Sequence, residues 1–401
     1  MKKIIKYKFK SFNTIGSAEI NATQKVLLSG KLSGFLAGTT KEFYGGKYVK
    51  KFESKIKKYF KVKYAITVNS WTSGLIIAIR SLNLKKGDEV ILPAWTMSAC
   101  FAAIELNNLK PIFCDINPDN YTIDIDDLKK KISRRTRAIL AVDLFGIVCD
   151  YTNLFKLTKK KNIIIISDSA QAIGAKYNKR FSSTFVDIGG YSLNRHKHIN
   201  TGEGGIIITN NKKLATTCQL LRNHAESSLH KNFSNNDKKL VGFNSRLGEI
   251  EAAIGIEQLR KLKKIITNRK IMAKKIYSSL ACLPGLIIPK KEYLNNSVFY
   301  YMPFRIDNKL IVTKKNKIIK MLGSLGLQGL RENCSQLNRL PFFDGKKEKV
   351  QICKISEEIN KNSFFALAIC SFAFNERDIK LICKCFFEVW KKIKFRNNKL
   401  S

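Results

Sequence analysis

The chain has 401 residues, 44% of them apolar, and a formal charge of +42. That length suits two or three domains, and the ordinary apolar share supplies a sizeable core. No stretch approaches the roughly 20 consecutive apolar residues of a membrane helix, and no apolar core follows the basic N-terminus as in a signal peptide.

The charge has two competing explanations, a polyanionic partner or a codon bias towards Lys, Asn and Ile. The second is favoured. Lysines are spread from Lys2 to Lys399 and greatly outnumber arginines, whereas nucleic-acid readers lean on Arg and gather their charge on one face. The 10 cysteines are scattered, without a Cys-x-x-Cys pair, and the four histidines (His196, His198, His224, His230) give no zinc spacing. Free thiols in a reducing compartment follow, and a cytoplasmic protein is expected.

In chain order, residues up to about 60 read as a glycine-punctuated arm followed by a helix from Lys47 to Phe60, with Phe52, Ile56 and Tyr59 at helical spacing. Ala65–Val68 is a strand, residues 69–74 a tight polar turn, and Leu75–Leu82 a helix. A strand, a small-residue turn and a helix N-terminus form an anion site suited to phosphate. The plainer alternative is an N-cap by Thr72 or Ser73. Strands at Val90–Pro93, Pro111–Cys114, Ala138–Val142 and Lys161–Ile166 alternate with helices at Ala99–Leu106, Asp126–Ile132 and Leu154–Lys160. This alternation predicts an α/β fold with a mostly parallel sheet flanked by helices, and ligands beyond the carboxyl ends of its strands. Asp168 stands at one such end, as an N-cap or as an anion facing a cationic ligand nitrogen. Lys197 lies on a polar loop that enters the strand Ile206–Thr209 through Gly202–Gly205. A lysine attacks a carbonyl only as the neutral amine, so its pKa must fall through desolvation or a neighbouring cation; Arg195, His196 and His198 are candidate neighbours. A long helix from Arg246 to about Ser279, a strand at Val298–Ile306 and a terminal helix at Ile379–Ile393 complete the chain.

A phosphate turn, a carboxylate and a lysine, in that order, are the three things pyridoxal phosphate (PLP) requires. With Gly87–Ile91, Pro111–Ile116, Asp168-x-Ala170-Gln171, Ser192 with Lys197 five residues on, Gly202–Gly205, and Asn244-x-Arg246 followed by Glu251–Leu259, the chain resembles the DegT/DnrJ/EryC1/StrS family of PLP-dependent sugar aminotransferases. The resemblance runs from about Gly45 to Leu262, with a looser match beyond. It implies fold type I, the aspartate-aminotransferase-like architecture. The large PLP-binding domain with its arm would span 1–264, and a smaller C-terminal α+β domain 265–401.

The resemblance also implies roles. Lys197 would carry the cofactor and then shuttle the proton, and Asp168 would keep the ring nitrogen protonated. Gln171 would contact the ring hydroxyl, and Thr72, Ser73 and Ser192 would hold the phosphate. Asn244 would reach the phosphate of the partner subunit, which makes a homodimer with shared active sites. The implied reaction moves an amino group, with L-glutamate as donor, onto a nucleotide-linked keto-deoxy sugar for surface polysaccharide. A PLP-dependent dehydratase and, from another class, a polyanion-binding protein are the alternatives; Lys197 speaks against the dehydratase, whose branch of the family carries His there. Two positions depart from the family pattern. Trp71 replaces the glycine of the phosphate turn. Met97 occupies the place of the ring-stacking aromatic, leaving either Met97 or Trp95 to cover the ring. The family's C-terminal His-x-x-Pro segment is not evident near Arg331–Cys334. Trp71, Met97, Asn194 and His224 are the expected determinants of pocket shape.

Overall fold

The computed structural model describes residues 2–38, 40–226, 240–343 and 351–396. After a helix α1 (Ser17–Leu28) and a helix α2 (Lys47–Phe60), the chain alternates strand and helix: β1 (Tyr64–Val68), α3 (Trp71–Ser81), β2 (Glu89–Pro93), α4 (Ser98–Glu105), β3 (Lys110–Cys114), α5 (Ile125–Lys131), β4 (Thr136–Val142), α6 (Tyr151–Thr158) and β5 (Ile164–Asp168). A small hairpin, β6 (Lys176–Tyr177) and β7 (Arg180–Phe181), precedes β8 (Ile188–Ser192), β9 (Gly205–Thr209) and α7 (Lys212–Arg222).

These strands form a seven-stranded sheet in the order β1-β9-β8-β5-β4-β2-β3. The run from β8 to β3 is parallel, and only β9 opposes its neighbours. Alternation within each strand divides the sheet into two dry faces. Ala138, Leu140 and Val142 pack with α3 and α4 on one side, while Ile139 and Ala141 pack with α2 and α6 on the other. Helix α2 buries Val49, Phe52, Ile56 and Phe60 and turns its lysines outward. Burying a phenylalanine such as Phe52 contributes about 1.5–3 kcal/mol.

The 32-residue helix α8 (Glu249–Leu280) runs unbroken past Lys264 and Ile265. Its Gly255 lets Phe52 approach so closely that an added Cβ would lie 2.5 Å from the ring. Beyond it come β10 (Leu286–Ile287), α9 (Lys291–Asn296), β11 (Met302–Ile306), α10 (Lys315–Ser324), β12 (Leu330–Arg331), α11 (Lys354–Asn362), β13 (Phe364–Leu367) and α12 (Glu376–Trp390). The four short strands form an antiparallel sheet, β10-β11-β13-β12, over a separate core of Ile276, Phe304, Phe365 and Phe386.

Two elements differ from the sequence reading. Helix α3 starts at Trp71 instead of Leu75, because Ser70 caps it: its hydroxyl accepts the Ser73 N–H at 3.1 Å, so neither Thr72 nor Ser73 is the cap. Helix α1 was not expected from periodicity. It buries only Glu19 and Val26 and so carries no apolar stripe; Glu19 is instead tied to Lys261 of α8 at 2.6 Å. All 10 cysteines are free, and no helix among the described residues is long and apolar enough to cross a membrane.

Candidate active site

The carboxyl ends of β1, β2, β4, β5 and β8 open on one side of the sheet into a cavity of about 450 Å³. Thr72, Met97, Asp168, Gln171, Ser192 and Lys197 all line it. Residues more than a hundred positions apart meet there because parallel strands end at the same edge.

Thr72 sits in the first turn of α3, where backbone N–H groups lack intrahelical acceptors and suit an anion, although that of Ser73 is taken by the Ser70 hydroxyl. Ser73 stands one step back from the cavity lining, its hydroxyl 3.0 Å from that of Ser70. Ser192 closes β8, is 7% exposed, and accepts the Asn194 N–H at 3.3 Å. Two further hydroxyl groups, those of Ser70 and Thr96, also reach the lining.

Asp168 ends β5 as a buried acid. Its Oδ1 accepts the Trp71 indole N–H at 2.8 Å and the Ala170 N–H at 3.0 Å; its Oδ2 accepts the Cys100 thiol at 3.0 Å. Three neutral donors therefore satisfy the buried Asp168 oxygens. Gln171 presents its Oε1 to the Phe145 N–H at 2.7 Å, which turns its amide NH2 towards the cavity. Phe145 has φ 58°, a conformation that costs a bulky residue of order 1–3 kcal/mol. It is fixed by that bond and by the Tyr300 N–H, which donates to the Phe145 carbonyl at 2.9 Å.

Lys197 rides the loop between β8 and β9, held by its N–H to the Asn194 carbonyl at 2.9 Å. The loop is pinned by the Arg195 N–H to the Gly202 carbonyl at 3.0 Å and by the Asn194 Nδ2 to Glu203 at 2.7 Å. The Lys197 amine has its pKa lowered, chiefly by desolvation, while Asp168 opposes the shift. Burial, rather than the neighbouring cations, thus favours the neutral nucleophile. Arg195 and His196 are exposed. His198 is fully buried and turned away, with its Nε2 2.9 Å from the Val298 carbonyl and its pKa pushed well down by burial.

Met97, not Trp95, faces the cavity. Met97 is 63% exposed at its mouth, whereas Trp95 is fully buried against Tyr121 and Phe364. Asn194 and Trp71 join the lining, but His224 does not. Asn244 also lies outside it; it is exposed, and its Oδ1 accepts the Arg246 Nε–H at 2.8 Å. His230 lies outside the described residues.

The sequence reading missed Tyr300, Tyr301, Asp143 and Cys100. Tyr300 and Tyr301 come from the segment entering the second sheet and stack at 4.7 Å over the cavity. Nothing in their sequence spacing brings them to Lys197. Asp143 is wholly buried just past β4, accepting from Cys149 N–H at 2.9 Å and Ser169 Oγ at 2.6 Å; burial pushes its pKa up to about 6.

The residues present suit PLP. A helix N-terminus with hydroxyl groups fits its phosphate, the buried and hydrogen-bonded Asp168 carboxylate fits a protonated ring nitrogen, and Gln171 has a spare amide donor for the ring oxygen.

The known proteins agree. The GDP-perosamine synthase of Escherichia coli O157:H7 is 35% identical over 228 residues, 57% of this chain and 62% of that protein, so the match spans less than two thirds of its length. Among solved structures, an aminotransferase from Psychrobacter cryohalolentis superimposes with a TM-score of 0.84 at 22% identity, covering 96% of this chain and 100% of the other. The GDP-4-keto-6-deoxy-D-mannose-3-dehydratase of E. coli, solved with hydrated PLP, gives 0.81 at 26% identity, covering 94% and 99%. The profile of the DegT/DnrJ/EryC1/StrS aminotransferase family matches residues 36–386, and the chain belongs to that family.

Proposed function

We propose that the protein is a PLP-dependent aminotransferase that moves an amino group from L-glutamate onto a nucleotide-linked keto-deoxy sugar, for amino-sugar and surface-polysaccharide synthesis. The observation that carries this reading is the meeting of Lys197, Asp168, Gln171 and the α3 N-terminus around one cavity. The bound PLP supplies an aldehyde to carry nitrogen and a ring that delocalises the electron pair left on the substrate carbon.

Each residue then has a task. The first turn of α3, with Thr72, Ser73 and Ser192, binds the phosphate. Asp168 keeps a proton on the ring nitrogen, and Gln171 donates to the ring oxygen. Met97 covers the ring where the family carries an aromatic. The Lys197 Nζ, poised towards its neutral form by burial, would hold the cofactor at its aldehyde and, once the substrate amine has displaced it there, would move a proton between cofactor and substrate carbons. Tyr300 and Tyr301 roof the cavity and exclude water.

The sugar class rests on the perosamine synthase relatives, and the donor and polysaccharide role on the family resemblance. Residues 1–264 would act as the large lobe and 265–401 as the small one, in a cytoplasmic homodimer whose exposed Asn244 completes the partner's phosphate site. The alternative of dehydration has support in the likeness to the E. coli dehydratase.

The test is the visible absorbance of the PLP-loaded protein before and after L-glutamate, beside Lys197→Ala. Bleaching of the wild-type band by glutamate, with no borohydride-fixable PLP in Lys197→Ala, is expected. A band untouched by glutamate would point to another donor or to the dehydratase. A protein that PLP cannot load, yet that heparin retains at high salt, would bring the polyanion reading forward.

A further inference from the structure

Trp71 stands where the family carries glycine, and the chain has made room for it. The indole runs from the first turn of α3 beneath the sheet to Asp168, through a slot floored by glycines. A Cβ on Gly190 would lie 2.1 Å from the ring, and one on Gly74 would lie 3.0 Å from it. One on Gly205 would lie 2.6 Å from the Trp71 backbone nitrogen. Gly190 of β8 pairs directly with Asp168 of β5, so the slot opens at the carboxylate. On the opposite oxygen, Cys100 of α4 donates its thiol at 3.0 Å, and burial holds that thiol well above its ordinary pKa, in the donating form.

We propose that Trp71 and Cys100 are positioning residues: a two-sided clamp of neutral donors that fixes the plane of the Asp168 carboxylate against the cofactor ring nitrogen. This inference rests on the PLP reading of the site. Asp168 takes part in no salt bridge among the described residues, so its hydrogen bonds come from these donors and the Ala170 N–H. Oδ1 already accepts two bonds, whereas Oδ2 accepts only the thiol and retains a lone pair for the ring N–H. Without the clamp, the Asp168 carboxylate is free to turn away from the ring nitrogen, which then holds its proton less firmly. The ring then withdraws less electron density, and the nitrogen contributed by Lys197 becomes more basic.

The experiment compares wild type, Trp71→Phe and Cys100→Ala, each loaded with PLP, by pH titration of the visible band and by kcat and KM. Neither substitution changes the other titratable or charged groups facing Lys197, namely Asp143, His196, Glu203, Tyr300, Tyr301 and Cys370. The band midpoint is expected to rise by about 0.5 unit or more in each variant. In each, kcat should fall roughly 10-fold with KM little changed. Far-UV circular dichroism of the apoproteins checks folding. If Trp71→Phe fails to fold, Cys100→Ala decides alone. Folded variants that load PLP with an unmoved midpoint would overturn the clamp while leaving the PLP reading intact. A wild type that does not load PLP would instead remove that reading.

Discussion

The Lys197 Nζ lies 4.7 Å from the centroid of the Tyr300 ring, so a residue from the segment entering the four-stranded sheet supplies an aromatic face to the lysine amine of the β8–β9 loop. The two influences on the amine oppose each other. Burial lowers its pKa, and the ring face favours the ammonium by about 0.5–2 kcal/mol.

Tyr300→Leu should therefore lower the apparent amine pKa further, by up to about 1 unit, whereas Tyr300→Phe should leave it near wild type. The rate at which the apoprotein captures PLP, followed against pH, reports this. Equal profiles for the two variants would mean that the ring only fills space.

Gln171 spends its carbonyl on the Phe145 N–H and leaves its amide to the cavity. Gln171→Glu keeps the acceptor and loses the donor. PLP retention should fall roughly 10-fold, with the apoprotein's stability nearly unchanged. Gln171→Leu should in addition destabilise the apoprotein by about 1–3 kcal/mol, because the Phe145 N–H loses its acceptor. Equilibrium dialysis against PLP and urea unfolding separate the two effects.

Asp143 gives a signed pH prediction. Its folded pKa is raised to about 6 from 3.8, so the folded state binds the proton more tightly than the unfolded chain. The burial penalty is complete above about pH 6 and is relieved as pH falls towards 4. Between pH 7 and pH 5 this residue alone should raise stability by about 1 kcal/mol. Urea unfolding of wild type and Asp143→Asn at both values isolates the term, since other carboxylates titrate alike in both. A constant difference between the two proteins would contradict the raised pKa.

Gly255 meets Phe52 where α8 crosses α2. Gly255→Ala should cost about 1–3 kcal/mol by overpacking, and Phe52→Leu in the same chain should recover part of it. Thermal unfolding of the single and double variants checks the coupling, with the visible band of the loaded proteins as control.

Much of this protein was legible in its sequence. Strand and helix periodicity are local, so the alternation up to β5, the helix over Lys47–Phe60 and the long helix from residue 249 could be read within a few positions. Chain order placed Asp168 at a strand end and Lys197 on a loop entering a strand, while Gln171 and Ser192 came from the family resemblance; parallel topology then required a shared edge. The cap of α3 was misplaced because Ser70, Thr72 and Ser73 are chemically equivalent caps, and only backbone geometry selects among them. The tertiary structure alone decided the rest. It buried Trp95 and put Met97 at the mouth. It brought Tyr300 over Lys197 and joined Trp71 and Cys100 to Asp168. These are contacts between side chains far apart in sequence, and no local pattern encodes them; they arise only when the two lobes and the helices of one sheet face pack together.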